Sequence, residues 1–232
     1  GDMGEMRIPH DHQHLLGRYH KAGKKEIKMA IEAAMDAWQS WSKMPWEDRF
    51  SIFKKMASIL QRHDDQTINA STMLGQSKNA FQAEVDASCE MIDFLNFNCW
   101  YAQQLYRYQP TYSPDGMWNR IEHRPLEGFI FAVTPFNFTS IGGNLPAAPA
   151  LMGNVAVWKP ASSAVYSAHF MMELFREAGV PDGVINFIPG SGHEVGPTVM
   201  KDPNLAGVHF TGSTTVFQDM WSTIGENIAN YK

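Results

Sequence analysis

Apolar residues in the first hundred positions recur at helical intervals. In the stretch 24–42 they are spaced by four, three, four and three positions: Ile27, Ile31, Ala34, Trp38 and Trp41. This spacing predicts an amphipathic helix. A second helix is expected from Pro45 to Gln61, because proline is favoured at the first helical position. The histidine-rich opening before residue 24 shows no such period and is expected to be irregular.

A third and longer helix is predicted over residues 79–106. One face of it would carry six mainly apolar residues: Phe81, Val85, Ser88, Ile92, Leu95 and Cys99. Residues 1–107 are therefore expected to form a helical amino-terminal part. The texture changes at residue 108, where Pro110, Pro114 and Gly116 indicate a connection. Two extended segments, Trp118–Arg124 and Phe129–Val133, are expected to follow around a turn, so that residues 108–133 form a hairpin.

Strand and helix patterns alternate in the remaining residues, 134–232. Strands are predicted at 155–158, 184–188 and 207–210, with helices at 163–178, 194–200 and 215–229. This alternation predicts an α/β fold with a parallel sheet, the first βαβαβ half of a Rossmann-like domain. Such domains usually have five or six strands, so we expect further residues beyond Lys232 and a partner for the apolar face of the last helix.

Composition narrows the class of protein. The 232 residues are 44% hydrophobic and 19% charged, with a net charge of −5, which favours a packed domain and gives no reason to expect nucleic acid as a partner. Two cysteines, Cys89 and Cys99, are too few for a disulfide framework and are expected to be core residues of a reducing compartment.

The stretch 128–158 carries no charged residue, but it is not expected to enter a membrane. Prolines, glycines and asparagines interrupt it and would leave polar groups unsatisfied in lipid. Buried strands and a site loop are expected there instead. The first residues lack the basic and apolar regions of a signal peptide, so we expect a cytoplasmic location.

The segment Thr134-Pro135-Phe136-Asn137-Phe138 follows an apolar strand. Ligands of parallel sheets gather at the carboxyl ends of strands, and an asparagine amide there can donate a hydrogen bond to a developing oxyanion. Alternatively, Asn137 caps a helix that begins near Ser140. Residues alone favour the cap.

Lys159 ends another apolar strand, in Trp158-Lys159-Pro160. A buried ammonium group needs an anion or hydroxyl groups, so Lys159 either contacts a ligand's ribose or phosphate or is a solvated strand terminus. The residues leave these alternatives even.

Two glycine patterns precede predicted helices. The segment from Gly190 to Gly196 has its last glycine one residue too far for the dinucleotide fingerprint and is weak evidence. The turn Phe210-Thr211-Gly212-Ser213-Thr214 leads directly from a strand into a helix, whose free amide groups suit a pyrophosphate. An ordinary cap by Ser213 or Thr214 is as good an interpretation.

Four histidines near the start suggest a metal cluster: His10, His12, His14 and His20. No cysteine or carboxylate pattern completes such a site, and Pro9 indicates a loop. We therefore expect exposed histidines and no metal.

Taken together, the Pro-Phe-Asn-Phe segment, the Lys-Pro pair and the Phe-Thr-Gly-Ser turn resemble the aldehyde dehydrogenase superfamily in order and spacing. Within it, the segments 74–78, 82–86 and 136–145 resemble the L-glutamate γ-semialdehyde (1-pyrroline-5-carboxylate) dehydrogenases of proline catabolism. The resemblance covers nearly the whole chain. It implies NAD-dependent oxidation of an aldehyde to a carboxylate, in which a cysteine thiolate attacks, hydride passes to nicotinamide and a glutamate activates water.

The resemblance also implies roles for individual residues. Asn137 matches the oxyanion donor, and Lys159 matches the lysine that bonds the adenosine ribose. Other residues match the cofactor site: Thr134, Pro135 and Phe136 on the nicotinamide side, Trp158 and Pro160 beside the lysine, Gly192 near the adenine, and Gly212 and Ser213 at the pyrophosphate. Glu90 and Phe138 match residues that border the substrate. Segments 108–133 match those that help form contacts of a homo-oligomer.

Two departures from the family pattern matter. Ser162 stands where many NAD-preferring relatives have a glutamate, so NADP is not excluded. Neither cysteine precedes a base motif or follows Asn137, so the nucleophile and the general-base glutamate are not in this chain. We therefore expect an amino-terminal part of the enzyme that is inactive alone and lacks the catalytic domain. The alternatives are a non-catalytic nucleotide-binding or assembly module and an aldehyde dehydrogenase of another substrate class.

Overall fold

The chain begins with an antiparallel β-hairpin and continues into helices that pack on a parallel sheet. The structure, a computed structural model, describes residues 2–232, with the side chains of residues 63–65 left out. The strands are β1 (Met3–Ile8), β2 (Asp11–His20), β3 (Phe129–Val133), β4 (Val155–Lys159), β5 (Ile185–Phe187) and β6 (Leu205–Phe210). The helices are α1 (Lys24–Trp41), α2 (Trp46–Ile59), α3 (Asp65–Gln76), α4 (Ala80–Ala83), α5 (Glu90–Arg107), α6 (Thr139–Leu151), α7 (Val165–Ala178), α8 (Gly192–Met200) and α9 (Thr214–Glu226).

The β1–β2 hairpin corrects the prediction that residues 1–107 are irregular and then helical. Its strands pair from Met3 opposite His20 to Ile8 opposite Asp11, so that Pro9 and His10 form the turn. The sequence hid these strands because β2 is polar on both faces and mostly exposed, which removes the alternation that marks a half-buried strand.

Helix α1 confirms its predicted stripe. Ile27, Ile31, Ala34 and Trp41 are buried, and α1 packs against β4 and β5. The Trp38 indole lies at the edge of this face, where Nε1 donates to the Leu126 carbonyl at 2.9 Å.

The third predicted helix exists, but its buried face is wrong at the start. Residues 84–89 form a π-helical turn between α4 and α5, and its i→i+5 hydrogen bonds shift the phase of the side chains. Phe81 is consequently 78% exposed, whereas Ala83, Ala87, Met91 and Leu95 are buried. A fixed helical period cannot anticipate this shift.

The sheet confirms the α/β prediction and contains one more strand than the alternating pattern indicated. All four strands are parallel, in the order β5-β4-β3-β6. The segment Phe129–Val133, expected in a hairpin with residues 118–124, is the inner strand β3 instead. Its burial between β4 and β6 explains its apolar character, and residues 118–124 form no strand.

Helix α6 occupies the uncharged stretch where only strands and a loop were expected. It contains Pro146 and Pro149, yet its carboxyl end is satisfied by side chains from α1 and α2. Trp41 Nε1 donates to the Ala150 carbonyl at 2.9 Å, and Arg49 Nε donates to the Leu151 carbonyl at 3.1 Å. Among the described residues, no helix has the length and apolar character that crossing a membrane requires.

Candidate active site

The segments singled out by the sequence meet at one edge of the sheet. Strands β4, β3 and β6 are neighbours and parallel, so their carboxyl ends lie side by side. Main-chain bonds continue beyond the strands: Thr134 N donates to the Lys159 carbonyl at 3.2 Å, and Thr211 N donates to the Val133 carbonyl at 3.1 Å. The edge thus gathers the segments that begin at Thr134, Lys159 and Thr211, as ligand sites of open parallel sheets require.

Lys159 is not a solvated strand terminus. The residue is 8% exposed, and its Nζ donates to the Pro160 carbonyl at 2.9 Å, which uses one of its three donors. Burial lowers the pKa of Lys159, because the ammonium group loses hydration. The interpretation as a ligand contact therefore accounts better for a lysine here.

Trp158 cannot contact a cofactor through its side chain. The indole is fully buried, and Nε1 donates to Thr134 Oγ1 at 2.9 Å. This corrects the prediction for Trp158, whose side chain acts only indirectly by holding Thr134. Thr134 and Trp158 also line a cavity of about 10 Å³ together with Pro135, Phe138 and Pro160.

The loop after β3 does not cap α6 with Asn137. Helix α6 begins at Thr139, its N-cap residue is Phe138, and no cap hydrogen bond comes from that side chain. Asn137 lies one residue earlier with an exposed side chain, and Phe136 and Phe138 beside it are exposed as well. The capping hypothesis is wrong, which leaves the Asn137 amide available for a ligand.

The two glycine turns differ in structure. Gly192 is the first residue of α8, and a methyl group placed on it would lie 3.8 Å from Lys159 Cε. A methyl group on Gly212 would lie 2.6 Å from Phe210 Cζ, so the close ring explains the glycine. Ser213 is the N-cap of α9, as the ordinary interpretation expected, and its side chain accepts a hydrogen bond from Val216 N at 3.4 Å. Both residues are exposed at the same edge.

A layer of polar side chains supports the Asn137 loop from the helical part. The Ser140 hydroxyl donates to Glu90 Oε2, which brings the predicted substrate residue Glu90 beside the start of α6. The Thr72 and Thr139 hydroxyl oxygens are 2.7 Å apart, and Gln76 Nε2 donates to Thr139 Oγ1 at 2.8 Å. These contacts join α3 and α5 to the first turn of α6.

Lys78 is a site residue that sequence reasoning missed. Its Nζ donates to Asp86 Oδ2 and to the main-chain carbonyl oxygen of Asn137, and it lies 4.3 Å from the centroid of the Phe138 ring. Lys78 stood within a segment that carried the family resemblance, but a contact spanning 59 positions leaves no mark on a single sequence.

Neither cysteine is placed to act as a nucleophile. Burial raises the pKa of Cys99 to about 11, which suppresses its thiolate at neutral pH. Cys89 is exposed, and its Sγ lies 3.6 Å from the Glu84 carboxylate, a neighbour that disfavours a thiolate.

The four histidines lie on or beside the β1–β2 hairpin. His10 Nδ1 is 2.8 Å from Ser77 Oγ, so this ring contacts a hydroxyl group. Across the part of the chain that the structure describes, no three histidine, cysteine, aspartate or glutamate side chains gather where they could share a metal ion.

Sequence comparison agrees with this arrangement. The model of the aldehyde dehydrogenase family matches residues 3–232, and the chain belongs to that family. It is 51% identical over 230 residues to the probable delta-1-pyrroline-5-carboxylate dehydrogenase of Schizosaccharomyces pombe, covering 99% of this chain and 42% of the relative. It is 42% identical over 230 residues to the mitochondrial delta-1-pyrroline-5-carboxylate dehydrogenase of Homo sapiens, covering 99% and 41%. The chain thus spans about 42% of the length of the curated relatives it matches.

Solved structures give the same result. The chain superimposes on delta-pyrroline-5-carboxylate dehydrogenase from Mycobacterium tuberculosis bound with NAD, with a TM-score of 0.97 and 47% identity over all of this chain and 43% of that one. The NAD-bound 1-pyrroline-5-carboxylate dehydrogenase from Thermus has a TM-score of 0.90 and 32% identity, covering 97% and 43%.

Proposed function

We propose that the chain is the amino-terminal part of an NAD-dependent dehydrogenase that oxidises L-glutamate γ-semialdehyde to L-glutamate in proline catabolism. The observation that carries the proposal is the meeting of the Asn137 loop, Lys159 and the Gly212–Ser213 turn at one sheet edge. Relatives named delta-1-pyrroline-5-carboxylate dehydrogenase, up to about half identical across the whole chain, support it.

The residues at the edge fit NAD. Lys159 offers a buried ammonium group to ribose hydroxyls, and Gly192 leaves the space beside it open. The amino terminus of α9 at Gly212–Ser213 suits the pyrophosphate, because its first amides lack helical partners. Pro135 and Phe136, together with Thr134, would border the nicotinamide side, and Pro160 would border the ribose. When bound, NAD supplies the hydride acceptor of the oxidation.

The Asn137 loop would serve the aldehyde. An exposed amide on a fixed loop can donate a hydrogen bond to the oxygen that gains negative charge during the reaction. Phe138 and Glu90 would border the substrate, since the half-exposed Phe138 ring follows Asn137 and Glu90 is held by Ser140. The buried pair Trp158 and Thr134 would keep the base of the loop rigid.

Activity measurements test this function. We expect a full-length protein that carries this chain to oxidise L-glutamate γ-semialdehyde with NAD far faster than simple aliphatic aldehydes, because a substrate with both charges needs charged recognition. Parallel assays with NADP test the consequence of Ser162. The 232-residue chain alone should show no turnover, because Cys99 is buried and Cys89 faces a carboxylate. Equal rates with aliphatic aldehydes would contradict the substrate, and turnover by the short chain would contradict its inactivity.

Replacing Lys159 by methionine in that full-length protein should weaken NAD binding. Loss of hydrogen bonds from a charged group costs about 1.5–3 kcal/mol, which corresponds to a Kd about 10- to 100-fold higher. Calorimetric titration with NAD measures the change. Lys28→Met is the matched control, because Lys28 lies on the exposed surface of α1 in an ion pair with Glu32. Equal affinity of the Lys159 variant and the control would remove Lys159 from the cofactor site.

We also propose a homo-oligomer and a cytoplasmic location. The segment after α5 exposes large apolar side chains, Tyr108, Tyr112, Met117 and Trp118, which suits a contact between protomers. Sedimentation of the full-length protein with and without Trp118→Ser tests that contact. Cell fractionation tests the compartment, because the relatives from Homo sapiens and Dictyostelium discoideum are named mitochondrial.

A further inference from the structure

The link between α3 and α4 holds one lysine in a fixed place. The link has three residues, Ser77, Lys78 and Asn79. Ser77 has φ of 55°, a left-handed conformation that is uncommon for serine, and its hydroxyl lies 2.8 Å from His10 Nδ1. Asn79 caps α4, and its side chain accepts from Gln82 N at 2.8 Å. Lys78 is therefore anchored by the residues on both sides of it.

The ammonium group of Lys78 connects the helical part to the Asn137 loop. The side chains of Lys78 and Asp86 are 15% and 11% exposed, and Nζ donates both to Asp86 Oδ2 and to the Asn137 carbonyl. The same group lies over the Phe138 ring, 4.3 Å from its centroid, where a cation is attracted by the aromatic face. Asp86 Oδ1 accepts no hydrogen bond from any group that the structure describes, so Lys78 is the charge that compensates this carboxylate.

These contacts matter because the rest of the loop has little to fix it. Phe136, Asn137 and Phe138 are exposed, and Phe138 begins α6 without a side-chain cap bond. A catalytic amide must be held within a fraction of an ångström of its productive position. Lys78 meets this need by binding the main chain of the residue that carries the amide.

We propose that Lys78 is a positioning residue: its ammonium group, held by Asp86, binds the Asn137 carbonyl and fixes the direction of the Asn137 amide. The inference rests on the proposed function, in which that amide donates to the reacting oxygen. Lys78 itself does not contact the substrate in this assignment and acts through Asn137.

Steady-state kinetics of the full-length protein test the proposal. Lys78→Met should lower kcat about 10- to 100-fold, because small displacements of a catalytic group have effects of this size, while the KM for NAD stays unchanged. Lys78→Arg should recover part of the rate, since its guanidinium can bind both oxygens. In an Asn137→Ala background, Lys78→Met should add little, because residues that act as a unit are not additive. Lys54→Met is the control, because Lys54 binds Asn96 on the surface.

A second variant separates positioning from folding. Lys78→Met leaves the buried Asp86 carboxylate uncompensated, which destabilises the protein. Lys78→Met/Asp86→Asn removes that charge and should restore thermal stability while kcat remains low. The proposal is overturned if kcat recovers with stability in the double variant, or if Lys78→Met lowers kcat by the same factor with and without Asn137.

Hydrogen exchange makes the result independent of the reaction. In the full-length protein, Lys78→Met/Asp86→Asn should accelerate amide exchange in a peptide covering residues 134–142 and leave a β4 peptide unchanged. Unchanged exchange in residues 134–142 overturns the positioning role. If the wild-type protein oxidises no aldehyde, the proposed function fails, and the exchange data still decide whether Lys78 fixes the loop.

Discussion

Replacing Asn137 by alanine in the full-length protein is expected to lower kcat about 10²- to 10³-fold, with a much smaller change in the KM for the aldehyde. The expected loss is large because the amide would donate to an oxygen whose negative charge exists only in the transition state. The structure supports this role, since Asn137 is not the N-cap of α6 and its side chain is exposed beside Phe138. Steady-state rates with NAD at saturation measure the effect.

The matched control for Asn137 is Asn96→Ala. Asn96 lies on α5, where its side-chain oxygen accepts from Lys54 Nζ at 2.8 Å, so its removal should leave kcat unchanged. Asn137→Asp separates the amide from side-chain volume, because a carboxylate of the same shape cannot donate and repels an oxyanion. A kcat that remains at the wild-type level in Asn137→Ala would exclude the amide from the reaction.

The sequence predicted the elements whose environment repeats along the chain. The α1 stripe and the buried strands β4 and β6 are such elements, because a helix facing the sheet and a strand buried on both faces impose regular patterns. The β1–β2 hairpin and the π-helical turn at residues 84–89 carry no such pattern. The hairpin is polar on both faces, and the turn changes the period itself.

The candidate site was predictable where a chemical type was out of place in its element. Lys159 at the end of an apolar strand had two interpretations, and burial decides between them. Asn137 had two as well, and the position of the α6 cap decides. Lys78 could not be found in this way, because its importance comes from Asp86 and the Asn137 carbonyl, contacts that exist only in the folded chain.

Replacing Arg49 by methionine in the 232-residue chain should lower the free energy of unfolding by about 3 kcal/mol, because buried acceptors would lose a charged donor. Arg49 is 4% exposed, and burial lowers the pKa of its guanidinium group. The group donates to the Met44 and Leu151 carbonyls and lies 3.4 Å from the Tyr106 hydroxyl. It also places a positive charge at the carboxyl end of α6, where the helix dipole favours cations.

Thermal unfolding followed by circular dichroism measures the effect of Arg49→Met. A loss of about 3 kcal/mol corresponds to a decrease in Tm of about 6 to 12 °C for a chain of this length. Arg62→Met is the matched control, because the Arg62 guanidinium group binds only the nearby Ser58 hydroxyl on an exposed surface and should contribute little. Helix α6 directly follows the Asn137 loop, so the Arg49 bond joins α2 to the element that carries the site. Equal melting of the Arg49 and Arg62 variants would show that the Leu151 carbonyl finds another partner and that the end of α6 does not depend on this arginine.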